Sequence, residues 1–136
     1  MRSVVELIQR HEGLRLKPYK CTAGKVTIGF GRNLEDVGIT AEEATRMLHH
    51  DIAECIKQLE TIDGFSMLDE VRRAVLIDMT YNLGFAGILA FKNMWRAVEN
   101  RDYDKAAVEM LDSKWARQVG QRALRLSTMM QTGEWP

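Results

Sequence analysis

The hydrophobic period of this chain changes twice before Glu60, and that restricts the folds open to it. Val4, Val5, Leu7 and Ile8 recur at helical spacing, and Gly13 just beyond them is a natural helix stop. Between Lys25 and Gly31 the period drops to that of a strand: Val26, Ile28 and Phe30 alternate with Thr27, Gly29 and Gly31. This predicts an apolar face and, opposite it, a hydroxyl between small residues that let a ligand approach. Helical spacing then returns. Thr40-Ala-Glu-Glu43 is a capping-box pattern, and Ala44, Leu48, Ile52, Ile56 and Leu59 carry a helix from about Ala41 to about Glu60. A short hairpin enclosed by helices is an α+β pattern that is mainly helical.

The rest of the chain agrees. Pro18 and the Thr22-Ala23-Gly24 turn favour extended chain on either side of Cys21. Asp63-Gly64 breaks the chain, and Val71, Ala74, Val75, Ile77 and Met79 mark an apolar helix that stops at Asn82-Leu83-Gly84. Two or three shorter helices are expected between Phe91 and Met130. With 136 residues, 46% of them hydrophobic and only two prolines, the sequence suits one domain, 1–136, able to bury a core. The long helix would join two lobes, a small one at about 13–60 and a helical one from about 1–12 and 61–136.

Formal net charge is zero, yet charge is unevenly spread. Arg15, Lys17, Lys20, Lys25 and Arg32 lie between Gly13 and Leu34 with no acid among them. Lys114, Arg117, Arg122 and Arg125 form a second such stretch. An anionic polymer would suit both, and solvated faces would also explain them. Nucleic acid is disfavoured as a partner, because no aromatic–basic interleaving accompanies the cations. Cys21 and Cys55 are too few for a disulfide framework, so synthesis in a reducing cytosol is expected. Glu6, Gln9 and Arg10 interrupt the first ten residues too early for a signal peptide or a membrane span.

Three reactive side chains cluster early. Glu12 would sit at the negative end of a helix dipole, a position suited to a proton donor. Cys21 falls in a polar turn where Lys20 and Lys25 would favour the thiolate. Thr27 offers its hydroxyl from the glycine-rich strand. Each also has an ordinary reading: helix-terminal glutamates are common, cysteines often pack, and glycines often serve twist. Packing is the stronger reading for Cys55, among Ile52, Ile56 and Leu59. Glu35 and Asp36 read as surface residues of a polar loop. His49 and His50 lack any further ligand pattern, so no metal site is expected. Trp95, Trp115 and Trp135 read as packing aromatics.

Glu12, eight residues, Cys21, five residues, Thr27: this spacing closely resembles the catalytic segment of the phage-type, T4-lysozyme-like muramidases of glycoside hydrolase family 24. His11-Glu-Gly-Leu-Arg-Leu-Lys-Pro-Tyr19 is similar to the end of that family's first helix, and Asp69 to Gly84 to its central buried helix. Phe91-Lys-Asn93, Ser113-Lys-Trp115, Gln121-Arg-Ala-Leu-Arg125 and Thr132-Gly-Glu-Trp135 resemble its later landmarks. The likeness runs in order over nearly the whole chain. Two departures from the best-known member stand out: a shorter stretch between Arg32 and Thr40, and cysteine where aspartate is more often found. The second is a recognised variant of the pattern.

The resemblance implies a lysozyme-like two-lobed fold with a small N-terminal β-hairpin lobe. It also implies hydrolysis of the β-1,4 bond between N-acetylmuramic acid and N-acetylglucosamine in peptidoglycan, without a cofactor. Glu12 would be the general acid and Thr27 would hold the attacking water. Cys21 would stabilise positive charge, position water as a base, or attack the sugar. Arg122 matches an arginine near the catalytic glutamate and would orient it. Tyr81 and Asn82 would contact sugar, with Arg32 and Arg117 as further substrate-binding residues, Arg117 toward peptide or lactyl carboxylates. The expected protein is a monomeric endolysin, held in the host cytoplasm until a holin opens the membrane and not itself stably inserted there. A prophage or virion-associated lysozyme is a variant of that reading. A non-catalytic peptidoglycan-binding domain is the alternative of a different class.

Overall fold

In the computed structural model, which describes residues 3–136, Ser3 caps helix α1 (Val4–Glu12) by accepting a 3.1 Å hydrogen bond from the Glu6 N–H. Gly13 ends the helix at φ 69°, its N–H bonded to the Gln9 carbonyl at 2.9 Å. Only glycine adopts that backbone without strain. Residues 1 and 2, part of the expected helical lobe, lie outside the described residues.

The hairpin follows, and it has a third strand that the periodicity did not reveal. Strands β1 (Arg15–Lys20), β2 (Val26–Gly29) and β3 (Arg32–Asn33) form an antiparallel sheet in the order β1-β2-β3. Lys20 pairs with Val26, and Thr27 faces Tyr19 on one side and Asn33 on the other. The β1–β2 loop closes through Gly24 N–H to Cys21 O at 2.8 Å and Cys21 N–H to Lys25 O at 3.0 Å, with Gly24 at φ 78°. This is the three-residue hairpin geometry in which a turn is followed by a left-handed glycine.

The alternation of β2 misassigns the inward face. Thr27 is the buried residue of the strand, 3% exposed, whereas Phe30 beyond its end is 41% exposed. Burial of the hydroxyl is tolerated because it donates to the Lys25 carbonyl at 2.8 Å.

Helix α2 (Ala41–Leu59) starts where its capping box places it. Glu43 Oε1 accepts from the Thr40 N–H at 2.9 Å, and Thr40 Oγ1 accepts from the Glu43 N–H at 3.1 Å. The chain divides into two compact units within this helix, between Met47 and Leu48. The expected lobes placed that boundary near the other end of the same helix.

The second unit is helical throughout. Asp69 caps α3 (Glu70–Leu83), which Gly84 ends at φ 80°. Then come α4 (Phe85–Leu89), α5 (Lys92–Glu99), α6 (Tyr103–Leu111), α7 (Lys114–Val119) and α8 (Gln121–Thr132). From Lys92 onward there are four helices among the described residues, more than the two or three expected. Asp102 and Ser113 supply the extra starts, accepting from the Lys105 and Ala116 N–H groups at 3.1 Å each, and Gly120 separates α7 from α8. The most extensive helix contacts are α6 with α8 and α5 with α6. Val75, Leu76, Met79, Ile88, Met94 and Met130 are fully buried there. Each such side chain contributes about 1.5–3 kcal/mol, and truncating Met79 to alanine would cost about 2–5 kcal/mol. The whole is the expected mainly helical α+β architecture.

One guanidinium ties the start of α3 to the end of α8. Arg72 donates from Nε to the Met130 carbonyl at 2.6 Å, from Nη2 to Gln131 O at 2.9 Å and from Nη1 to Asp69 Oδ1 at 3.1 Å. Its plane lies 3.8 Å from the Tyr103 ring centre. Gly133 turns the chain off α8 at φ 71°, and a Cβ there would meet Arg72 Nη1 at 2.9 Å.

Candidate active site

Glu12, Cys21 and Thr27 all belong to the first unit. Glu12 is the last residue of α1, and its side chain lies over the β2–β3 turn at Gly31. A Cβ on Gly31 would fall 2.7 Å from Glu12 Cδ and closer still to Oε2. Gly31 has φ 77°, a backbone that favours glycine, and a Cβ there would push the Glu12 carboxylate aside. The small residues of this strand region suggest room for a ligand. At Gly31 the group that makes the close approach is the glutamate itself.

Cys21 stands at the start of the β1–β2 loop, half-buried, with Thr27 two residues into the pairing of β2. Its thiol is held below the ordinary value. The backbone of Lys25 has the largest influence, followed by that of Ala23. Partial burial opposes them, and the Thr27 hydroxyl adds a smaller lowering. Backbone dipoles therefore do what the lysine side chains were expected to do, and the Lys25 ammonium instead pairs with Asp36 at 3.5 Å. The Thr27 hydroxyl itself donates to the Lys25 carbonyl, whose backbone is also the largest influence on the Cys21 thiol. Cys55 is buried in α2 and its thiol is shifted the other way, first by burial and then by Asp51 and Glu54.

Arg32 is engaged in the first unit. It makes a two-pronged contact with Glu43, Nη1 to Oε1 at 3.0 Å and Nη2 to Oε2 at 2.8 Å, and Nη1 also donates to Gly38 O. Hydrogen bonds from Arg32 and then from the Thr40 backbone lower the Glu43 carboxyl to about 2. This arginine joins sheet to helix start. Nearby, Glu35 accepts from the Val26 N–H at 2.9 Å and Asp36 from the Asn33 amide at 2.9 Å, so both loop acids brace the sheet.

The remaining expected binding residues lie in the second unit. Asn82 accepts from the Trp115 indole N–H at 2.7 Å, which fixes its oxygen and leaves its NH₂ as a donor. Phe91 meets the same indole edge-on, ring centres 6.1 Å apart. Tyr81 is 48% exposed beside them in sequence. Arg122 pairs through Nε with Asp78 at 2.8 Å, a partner that the sequence reading missed because it lies 44 positions away. Arg117 is exposed, and no ion pair engages it among the described residues. The tryptophans divide: Trp95 and Trp115 are core residues, as expected, while Trp135 is 58% exposed. It follows the Gly133 turn and so leaves the helix before it can pack. Among the described residues no three His, Cys, Asp or Glu side chains gather as metal ligands, and no helix is long and apolar enough to cross a membrane.

The sequence model of the phage lysozymes matches residues 9–130, most of the chain and the whole segment from Glu12 to Thr27. The chain belongs to the phage lysozyme family. It is 27% identical to the "Probable T4-type lysozyme 1" of Dictyostelium discoideum, over 96% of this chain and 95% of that one. It is 33% identical to the "Endolysin" of Acyrthosiphon pisum secondary endosymbiont phage 1, over 82% and 75% respectively. The "Pre-baseplate central spike protein Gp5" of Enterobacteria phage T4 is 29% identical over 96% of this chain but 28% of its own length. Membership of the phage lysozyme family implies a lysozyme-type glycosidase with peptidoglycan as its substrate class.

Proposed function

We propose that this phage lysozyme is an endolysin that hydrolyses the β-1,4 bond between N-acetylmuramic acid and N-acetylglucosamine. The observation that carries the reading is the first unit itself: Glu12 seated on Gly31, and a Cys21 thiol lowered by backbone and Thr27 contacts. Glu12 protonates the departing glycosidic oxygen as positive charge develops on the sugar. The Cys21 thiolate offsets that charge and, as the base, takes the proton of the water that it holds with the Thr27 hydroxyl and that attacks from the opposite face. This course inverts the anomeric centre, so the first product is the α anomer. A β product would instead make Cys21 the nucleophile.

Tyr81, Asn82, Arg117 and Arg122 contribute to glycan binding in this reading, Arg122 by way of Asp78. Arg32 supports the site through Glu43. The protein acts as a monomer, accumulates in the host cytoplasm and reaches the wall when a holin opens the membrane. The test uses purified protein on a peptidoglycan suspension: turbidity should fall while reducing ends appear. Glu12→Gln should abolish both and leave the melting temperature at or above that of the wild type. A glutamine variant that retained a large share of turnover would remove Glu12 from its role. Wall binding without reducing ends would replace the enzyme by a non-catalytic binding domain.

A further inference from the structure

Trp135 is the one tryptophan whose indole N–H has no hydrogen-bond partner among the described residues. Trp95 donates to Ile88 O at 2.9 Å and Trp115 to Asn82 Oδ1 at 2.7 Å. Its ring also borders two hollows of the helical unit. One, of about 370 Å³, is lined along α8 by Gln121, Leu124, Arg125, Thr128 and Thr132, with Glu134. The other, of about 320 Å³, has Ile56, Phe65 and Ile77 with Glu60, Glu70 and Arg73 around them. Arg125 and Glu134 form no ion pair among the described residues, so each charge is available to a ligand.

An exposed indole beside an amide, hydroxyls, the Arg125 guanidinium and the Glu134 carboxylate matches the chemistry of an amino sugar that bears a carboxylate for the one and hydroxyl or amide donors for the other. The apolar face of a pyranose stacks on the ring, its acetamido and hydroxyl groups need the polar neighbours, and a lactyl or peptide carboxylate meets Arg125. Purely apolar partners would leave Arg125, Gln121 and Glu134 poorly paired. We propose that Trp135 and the adjoining face of α8 form a second glycan-binding site for peptidoglycan, separate in sequence from the Glu12, Cys21 and Thr27 segment. The site rests on the wall-degrading reading for its ligand. It would hold the enzyme on insoluble wall between cleavages.

Two variants test it, Trp135→Ala and Arg125→Glu, both at exposed positions and each checked for an unchanged melting temperature. In the Glu12→Gln background, retention on purified insoluble peptidoglycan should fall about tenfold in either variant. With Glu12 intact, hydrolysis of soluble uncrosslinked peptidoglycan fragments should stay within about twofold of wild type, while clearance of insoluble wall drops. Undiminished retention in both variants overturns the second site even if wall is cleaved normally. Trp135-dependent retention by a protein that cleaves nothing would uphold the site and sink the enzymatic reading. A wild type that neither binds nor cleaves would overturn both. Equal losses on soluble and insoluble substrate would also overturn it, because Trp135 would then serve the catalytic unit.

Discussion

The carboxylate of Glu12 lies over Gly31, so close that a Cβ there would displace it. A helix end and a strand turn thus share one space, and a side chain at the turn would move the acid.

Gly31→Ala is therefore expected to act on catalysis more than on folding. The new methyl must displace the carboxylate, and a misplacement of about 1 Å costs on the order of 10²-fold in rate. The unfavourable φ of 77° adds about 1 kcal/mol of instability, a few degrees of melting temperature. Steady-state rates on peptidoglycan alongside a thermal melt separate the two effects. A fully active alanine variant would show that Glu12 works from another position.

Cys21 should tolerate an acid and reject a neutral hydroxyl. Cys21→Asp restores an anion at the start of the loop and should stay within about tenfold of wild type, whereas Cys21→Ser should lose about 10²-fold or more. Because the Cys21 thiol is lowered, its thiolate persists at a pH where an ordinary thiol is protonated. Iodoacetamide should then modify Cys21 at lower pH than a model thiol, and Cys55 more slowly and at higher pH. An unimpaired serine variant would leave Glu12 and Thr27 to act without the sulfur.

Glu43 should make stability acid-sensitive. Its carboxyl is lowered from 4.5 to about 2 in the fold, so the stability it contributes is complete above 4.5 and disappears as pH falls toward 2. Glu43→Gln should melt below wild type at neutral pH, and the gap should close on acidification over that window. A gap constant from pH 6 to pH 2 would show that Arg32 does not hold the ionised acid.

Ionic strength should weaken action on the anionic wall. Lys25, Arg32 and Arg122 are paired with acids, which leaves Arg15, Lys17, Lys20, Lys114, Arg117 and Arg125 of the two basic stretches without ion pairs among the described residues. Their attraction is screened by salt. Arg117→Glu should raise KM more than it lowers kcat, and the salt dependence should shrink in the variant. Activity that is flat from low to high salt would return these cations to plain solvation.

What the sequence disclosed was mostly local. The Gly13 stop, the Thr40–Glu43 capping box and the α3 core positions each depend on neighbours within a turn or two, and they fell where periodicity and capping chemistry put them. Contacts between distant residues were not legible. Nothing in the chain marks Asp78 as the partner of Arg122, or Glu43 as that of Arg32. The sequence suggests a lowered Cys21 thiol through its lysine neighbours, whereas the backbone of Lys25 and Ala23 does the lowering, because backbone N–H directions appear only once the loop is folded. Thr27 reads as the solvent face of an alternating strand, and only its bond to Lys25 explains its burial. The Thr132-Gly-Glu-Trp135 ending was recognisable, yet no pattern told that its indole stays in solvent.

The Arg72 clamp bears on how the molecule comes apart. Chain ends ordinarily fray first, because their last turns have the fewest bonds to lose. Here two carbonyls of the last turn of α8 are bonded to a side chain 58 and 59 positions earlier, on a helix whose own first turn the same guanidinium steadies through Asp69. The tail cannot unravel alone without releasing the start of α3. Amide exchange near Met130 should consequently report the opening of the helical unit as a whole, and the last turn of α8 becomes a sensor of its cooperativity.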